Sequence, residues 1–345
     1  MSQAFKNWAA RQFPLLLPFL LILLAWPWAF VGVVAFSRWP LWARVIAGAI
    51  WLSGTIYLFS LAQGFWWKLV VFVGSILIVR LLWFSNRPKE AGDWADEQEH
   101  LAKVRFDGDL VTIENFRHTI YRTLDDYDVR FVERTFDLSQ LSSVDLWIVP
   151  FAAWRGIAHV FVSFGFEDGE HLAISVEARR ETHEPYSPVG GLFRQFEVIY
   201  VVGDERDVVA KRAVFQKHPV HLYPMMSDAD SARAILVGML EQANDLVEQP
   251  QFYHTVTNTC TSNVLVHATE LEKRPRRYDF RLVFPGYADG LAVEMGLIEA
   301  PDGLRALREA TLINELAERA PLDDGKAWSK AIRQGSIRAA GATQP

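Results

Sequence analysis

The sequence predicts an α+β body carried behind apolar, membrane-spanning helices. Three observations lead there. Charge is divided unevenly along the 345 residues: residues 1–87 hold seven of the 35 Lys and Arg and none of the 41 Asp and Glu. Nine of the 13 Trp also lie before residue 88. Behind them, strand-like runs follow one another before helical periodicity takes over, the order of an α+β fold and not of a parallel α/β sheet. The head therefore carries a net +7, and the body, with the remaining 28 cations and all 41 acids, a net −13. An acidic body argues against a nucleic-acid partner. A single Cys excludes a disulfide scaffold and a multi-thiolate zinc centre. No cofactor and no metal is called for.

The head comes first. Residues 12–37 lie uncharged between Arg11 and Arg38, and residues 45–67 between Arg44 and Lys68. Each run reaches the roughly 20 apolar residues that a bilayer core requires. A third stretch, about Trp66 to Phe84, is interrupted only by Lys68 and Arg80 near its ends, where long cationic side chains reach the headgroups. Trp39, Trp42, Trp66, Trp67 and Trp83 fall near the ends of these runs, as an aromatic belt does. Residues 1–87 are thus expected to form an anchor of about three helices. A cleaved signal peptide is the alternative for the first run, which is long for one and is followed by no small-x-small cleavage site. The count of Lys and Arg mildly favours placing the body on the cytoplasmic side.

Residues 88–100 (PKEAGDWADEQEH) are acidic and read as a linker. The body, 101–345, opens with a hairpin of Val104–Phe106 and Leu110–Ile113 around an Asp-Gly-Asp turn. Val144–Phe151, Ala158–Phe166, Leu172–Ala178, Phe196–Val202 and Val220–Pro224 read as further strands. Ala229–Val247 reads as a helix capped by Ser227 or Asp228. Another helix starts near Cys260, and one covers about Leu304–Ala317, a C-terminal helical extension.

The Ala158–Phe166 and Leu172–Ala178 pair has an arguable register. A two-residue Asp-Gly loop pairs positions summing to 337 and mixes polar and apolar groups on one face. A longer loop with sum 338 sets Val160, Val162, Phe164 and Phe166 with Ala178, Val176, Ile174 and Leu172 on one apolar face. The other face then carries His159, Phe161 and Ser163 with Arg179, Glu177 and Ser175. Glu177 sits opposite Phe161 and diagonal to His159, within side-chain reach. A carboxylate there fixes an imidazole's tautomer and direction. Arg179 shares the face, and an Arg179–Glu177 pair is the structural alternative.

Cys260 lies in Thr257-Asn-Thr-Cys-Thr-Ser-Asn263, before helically spaced Val264, Leu265, Ala268 and Leu271. With Thr257 or Asn258 as cap, it enters the first helical turn, where free N–H groups and the helix dipole favour thiolate. The thiolate is the nucleophilic form, and an imidazole can supply its base. The bland alternative is a small buried hydrophobe. His218 and His221 are more simply solvated or core-edge than metal ligands. Asp204, Glu205, Arg206 and Asp207 read as a solvated charge cluster, and Lys273–Arg277 as a solvated basic loop.

Five stretches in order resemble the Lnb N-terminal periplasmic domain family: Ala158-His-Val-Phe-Val-Ser-Phe-Gly-Phe166, Ile174-Ser-Val-Glu-Ala-Arg-Arg-Glu181, Tyr186-Ser-Pro-Val-Gly-Gly through Tyr200, Gly203-Asp-Glu-Arg-Asp207, and Phe252-Tyr-His-Thr-Val-Thr-Asn-Thr-Cys-Thr261. The resemblance covers roughly residues 100–275. Thr259 departs from the family's more usual Asn-Asn-Cys-Thr. The resemblance implies a circularly permuted papain-like domain of NlpC type, in which the His strand precedes the Cys helix, as His159 precedes Cys260. It further implies a bacterial inner-membrane protein with its body in the periplasm. The implied activity is a thiol acyltransferase passing an acyl chain from phospholipid through a Cys thioester to a lipoprotein amine. Cys260 is then the nucleophile, His159 the base and Glu177 the third member, with Tyr186, Gln195 and Arg179 as substrate-binding candidates. Lecithin-retinol-acyltransferase-like enzymes place a second His at the spacing of His171, but the register leaves His171 at the hairpin loop. A cell-wall cysteine amidase or peptidase uses the same residues with water as acceptor. A non-catalytic binding domain is the third reading.

Overall fold

A computed structural model describes residues 25–34, 41–264 and 279–334. The chain divides into two compact units. One comprises the residues up to Pro88 together with Ser187–Gln195, and the other holds Lys89–Tyr186 and everything from Phe196 onward.

The first unit is helical: α1 (Ala25–Val34), α2 (Leu41–Leu61), α3 (Phe65–Ser85) and the short α4 (Pro188–Leu192). By length and composition, α2 and α3 are, among the described residues, the two helices able to cross a membrane. The first expected span, 12–37, falls largely outside the described residues; its described part, α1, is apolar but only ten residues long. The α2–α3 pair breaks at Gly64, whose φ of +84° suits glycine. Phe193 packs against the rings of Trp28 and Trp83, and Trp83 Nε1–H donates to its carbonyl.

The second unit is built on a mixed eight-stranded sheet. Its strands are β1 (Lys103–Asp107), β2 (Leu110–Arg117), β5 (Phe131–Asp137), β6 (Leu141–Pro150), β7 (Ala158–Phe166), β8 (His171–Arg179), β9 (Glu197–Asp204) and β10 (His221–Pro224). The short β3 (Ile120–Tyr121) and β4 (Tyr127–Asp128) pair separately. The order is β1-β2-β9-β8-β7-β6-β10, with β5 also on β2. Among the described residues, only the β2–β9 contact, Arg117 opposite Gly203, is parallel. The helices are α5 (Glu205–Ala210), running into a π-helical turn at Lys211–Phe215, α6 (Ala229–Glu248), α7 (described over 260–264), α8 (Phe280–Val283), α9 (Ala288–Glu294), α10 (Gly303–Ala310), α11 (Asn314–Arg319) and α12 (Gly325–Ala331).

Both faces of the central strands are buried, and strand alternation decides which residue goes where. Val160, Val162, Phe164, Leu172, Ile174, Val198, Tyr200, Val202 and the apolar stripe of α6 form one core. Trp147, Phe161, Ala173, Ile199 and Val201 form the other, beneath α5, α11 and α12. The α6 stripe (Ile235, Leu236, Met239, Leu240, Ala243, Leu246) is the one the sequence spacing marks, and Asp228 caps it by accepting from Ser231 N–H.

Four expectations need correction. Residues 89–100 are not a solvated linker: Trp94 and Gln98 are buried, Trp94 bridges Glu181, and Ala95 N–H donates to Arg180 O. The acidic side chains hide an apolar and an amide group that pack on β8. The helix expected over Leu304–Ala317 is two, α10 and α11, because Ile313 N–H leaves the helix to bond Val220 O. The Asp204–Asp207 run is not solvated. Glu205, Arg206 and Asp207 are buried, and Asp207 forms a two-pronged pair with Arg117 at 2.9 and 3.0 Å. The β7–β8 pairing sums to 336, not 338: Gly165 faces His171 and Val162 faces Ile174. The loop is three residues, Glu167 to Gly169, with Gly169 at φ +83°. Because both sums are even, the residues on each face are those expected; only their offset changes.

Candidate active site

The β7–β8 ladder ends at Val162 opposite Ile174. Beyond it, Ala158–Phe161 remain paired with β6, and Ser175–Arg179 with β9. The backbone along this stretch of β7 is thus released from β8. One released group has a partner: Val160 N–H is directed at Cys260 Sγ.

Cys260 reaches that position through a tied-down loop. Phe252 bridges Glu197, Tyr253 N–H donates to Phe196 O, and His254 and Asn258 exchange backbone hydrogen bonds. The helix cap is Thr259, one or two residues later than the sequence suggests. Ser262 N–H donates to Thr259 Oγ1 while Thr259 N–H donates to Ser262 Oγ, a reciprocal cap. Thr259 therefore has its own local role, as the cap of α7. Cys260 is the first residue of α7 and is 5% exposed. Burial raises its thiol pKa, against Val160 N–H and Thr261, which favour the thiolate. The expected lowering by the helix start does not prevail.

Cys260, His159, Glu177, Tyr186 and Tyr253 line one cavity of about 320 Å³, together with Gln98, Arg180, Lys211, Arg212 and His218 and an apolar wall that includes Val149, Phe151 and Val176. His159 stacks on Phe161 at 5.6 Å between centroids. Its Nε2 lies 2.7 Å from Ser175 Oγ, and Ser175 donates to Glu177 Oε1 at 2.8 Å. The direct His159–Glu177 separation is 4.0 Å, too long for a hydrogen bond. Glu177 also accepts from Arg212 Nη2 at 2.7 Å. Arg212 in turn lies over the Phe161 ring.

The electrostatics follow from this packing. Burial, then the Arg212 charge, bring the His159 pKa down to about 3, against an opposing pull from Glu177. The imidazole therefore rests neutral, and its protonated form is disfavoured. Burial would keep Glu177 protonated, but Arg212, His159 and Arg117 outweigh it and hold the carboxyl well below its usual range. Tyr186 and Tyr253 meet edge-to-face at 6.4 Å between ring centroids, and burial raises both hydroxyls, so they stay protonated.

The structure brings four of the six sequence-named residues to the cavity: Cys260, His159, Glu177 and Tyr186. Arg179 is not one of them. Its guanidinium donates to Gln98 O and Glu99 O and lies 4.1 Å over the Trp94 ring, so it neither pairs with Glu177 nor faces the cavity. Gln195 belongs to the helical unit. His171 lies opposite Gly165 at the far end of the hairpin, as the register argument expects of a loop-end residue. Sequence reasoning misses Ser175 and Arg212. Ser175 lies on the expected face, two residues before Glu177. Arg212 arrives from a π-helical turn that no periodicity announces.

A second cluster lies elsewhere on the sheet. Asp145, His171 and Glu205 bring donor atoms within 4.8 Å of one another. The Arg333 guanidinium already pairs with both carboxylates, at 2.7 and 2.6 Å, which is where a cation's charge would otherwise be needed. His221 Nδ1 bonds to Arg308 O and lies near Thr311 Oγ1, and it does not meet His218.

Residues 127–285 match the family model described as the Lnb N-terminal periplasmic domain. The matched segment contains His159, Ser175, Glu177, Arg212 and Cys260. No curated protein and no solved structure matches the chain.

Proposed function

We propose, from an Lnb N-terminal periplasmic domain at residues 127–285 and two apolar helices near the N-terminus, a membrane-anchored periplasmic thiol acyltransferase. One observation carries the reading: Cys260 and His159, a hundred residues apart in sequence, line the same cavity, with the N–H next to His159 directed at the sulfur. The fold is read as a permuted papain-like domain and the membrane as a bacterial inner membrane.

The chemistry runs in two halves. His159 takes the Cys260 thiol proton as sulfur attacks the ester carbonyl of a phospholipid. The tetrahedral oxyanion collapses, the C–O bond breaks, and the lysolipid alcohol leaves with the proton held on His159. A thioester remains on Cys260. The N-terminal amine of a lipoprotein then attacks it, gives its proton through His159, and the C–S bond breaks to return the thiol and an amide. The raised thiol and low imidazole pKa values mean that proton transfer accompanies attack, without a resting thiolate–imidazolium pair. In this mechanism the Cys260 N–H at the start of α7 helps hold the oxyanion. Tyr186 and Tyr253 are protonated donors on the cavity wall.

The same raised thiol favours a second reading, a binding domain whose Cys260 is an ordinary buried thiol. The test is transfer by the full-length protein in phospholipid vesicles to a diacylglyceryl-cysteine peptide. The expected products are an N-acylated peptide and lysophospholipid, both abolished by Cys260→Ala. Cleavage of cell-wall peptide without acyl transfer would replace the transferase by an amidase. Neither activity, with Cys260→Ala indistinguishable from wild type, would leave the binding domain.

A further inference from the structure

We propose that Ser175 is a positioning residue that locks His159 in its Nε2–H tautomer, leaving Nδ1 as the atom that takes the proton. The inference rests on the proposed function only for its catalytic consequence; the tautomer follows from hydrogen-bond bookkeeping. Ser175 is fully buried. Its Oγ touches two polar groups: His159 Nε2 at 2.7 Å and Glu177 Oε1 at 2.8 Å. A hydroxyl has one proton to give. Glu177 Oε1 also receives the cationic Arg212 Nη2 at 2.7 Å, and its Oε2 receives Gln98 Nε2 at 3.1 Å, so both oxygens face donors, the carboxyl is held ionised, and in that state it can only accept. The Ser175 proton therefore points to Glu177. Ser175 Oγ then meets Nε2 with lone pairs, and Nε2 must supply the proton of that bond. Arg212 cannot reverse the chain, because a guanidinium offers no acceptor.

The result is a one-way relay: His159 Nε2–H to Ser175 Oγ–H to Glu177 Oε1, with Arg212 fixing the end. It explains why Glu177 stands 4.0 Å from the imidazole it directs. It also explains why the two residues needed are Ser175 and Glu177: separated by two positions on β8, they share one face. The Phe161 ring under His159 sets the plane in which the Nε2–H must lie.

The experiment is ¹⁵N NMR of the full-length protein in detergent micelles, labelled at histidine, with His159 assigned by comparison with His159→Gln. The wild-type spectrum is expected to show a protonated Nε2 and an unprotonated Nδ1 at neutral pH. Ser175→Ala is expected to let the Nδ1–H form appear, and Ser175→Thr, which keeps the hydroxyl, to restore the wild-type pattern. In the transfer assay Ser175→Ala is expected to lower kcat on the order of 10²-fold with KM little changed, and Ser175→Thr to recover most of it. An Nδ1–H tautomer in the wild type overturns the proposal, whatever the variants do. A Ser175→Ala protein with wild-type kcat overturns the positioning role. A wild type with the Nε2–H tautomer but no acyl transfer upholds the relay and removes the proposed function instead.

Discussion

Arg212 links the two ionisable members of the site, and its removal separates them. It pairs with Glu177 at 2.7 Å and is the second cause, after burial, of the low His159 pKa. Arg212→Gln is expected to raise both pKa values towards their ordinary ones. The protonated, inactive imidazole would then appear at a higher pH. The acidic limb that His159 sets, near pH 3 in the wild type, should move upward but stop short of the ordinary value of about 6.5, because the burial remains. A pH–rate profile of the variant reads this directly, and an unmoved limb would mean that Arg212 acts only in packing. That His159 and Glu177 share a face is legible because strand alternation needs only local spacing, and that Cys260 opens a helix is legible from the helical spacing after it, although the cap is Thr259. Arg212 is not, since its place depends on a turn wound one residue wider than an α-helix. The Asp204–Asp207 run misleads for a related reason: its partners Arg117, Ser163 and Arg333 are distant in sequence.

At the scale of elements, the site exists because β7 and β8 stop pairing after Val162 and Ile174. The faces of this hairpin are legible, because any even register sum keeps the apolar residues together. The two-residue offset is not, because it is set by where the loop closes, at Phe166 and Glu170. β9 holds the far side of β8 from Leu172 to Arg179, and it is attached to β2 through Arg117 and Gly203. A Cβ at Gly203 would stand 2.7 Å from Arg117 O, a backbone atom that cannot swing aside. Gly203→Ala is expected to destabilise the body by about 1–3 kcal/mol, measured as a lower denaturant midpoint with unchanged slope. No change would mean that β2 and β9 can part without cost. At α6, Asp228→Ala removes the cap to Ser231 and is expected to cost about 0.5–2 kcal/mol by the same measurement.

Across the whole molecule, buried charge ties the C-terminal helices to the sheet. Arg333, just after α12, pairs with Asp145 and Glu205, whose side chains are both inaccessible. Arg333→Ala leaves two buried carboxylates without that partner and is expected to cost about 3–5 kcal/mol. Burial opposes the ionisation of Glu205, yet Arg333 and His171 bring its pKa down to about 2, and Glu177 is also depressed. A carboxyl with a folded pKa below its unfolded one contributes stability above the unfolded value and loses it as pH falls through the folded value. His159, depressed to about 3, adds a loss that begins below about 6.5, where the unfolded chain takes up its proton first. Stability should therefore fall steadily from mildly acidic pH down to about pH 2. The central claim, however, is that Cys260 carries an acyl group with His159 as its base, and Cys260 is the chain's single cysteine. The direct measurement is the intact mass of the full-length protein purified from its native membranes. A fatty-acyl increment mapped to Cys260, removed by hydroxylamine and absent from His159→Gln, is the expected result. An unmodified Cys260 that also fails to take up acyl from phospholipid vesicles would contradict the account.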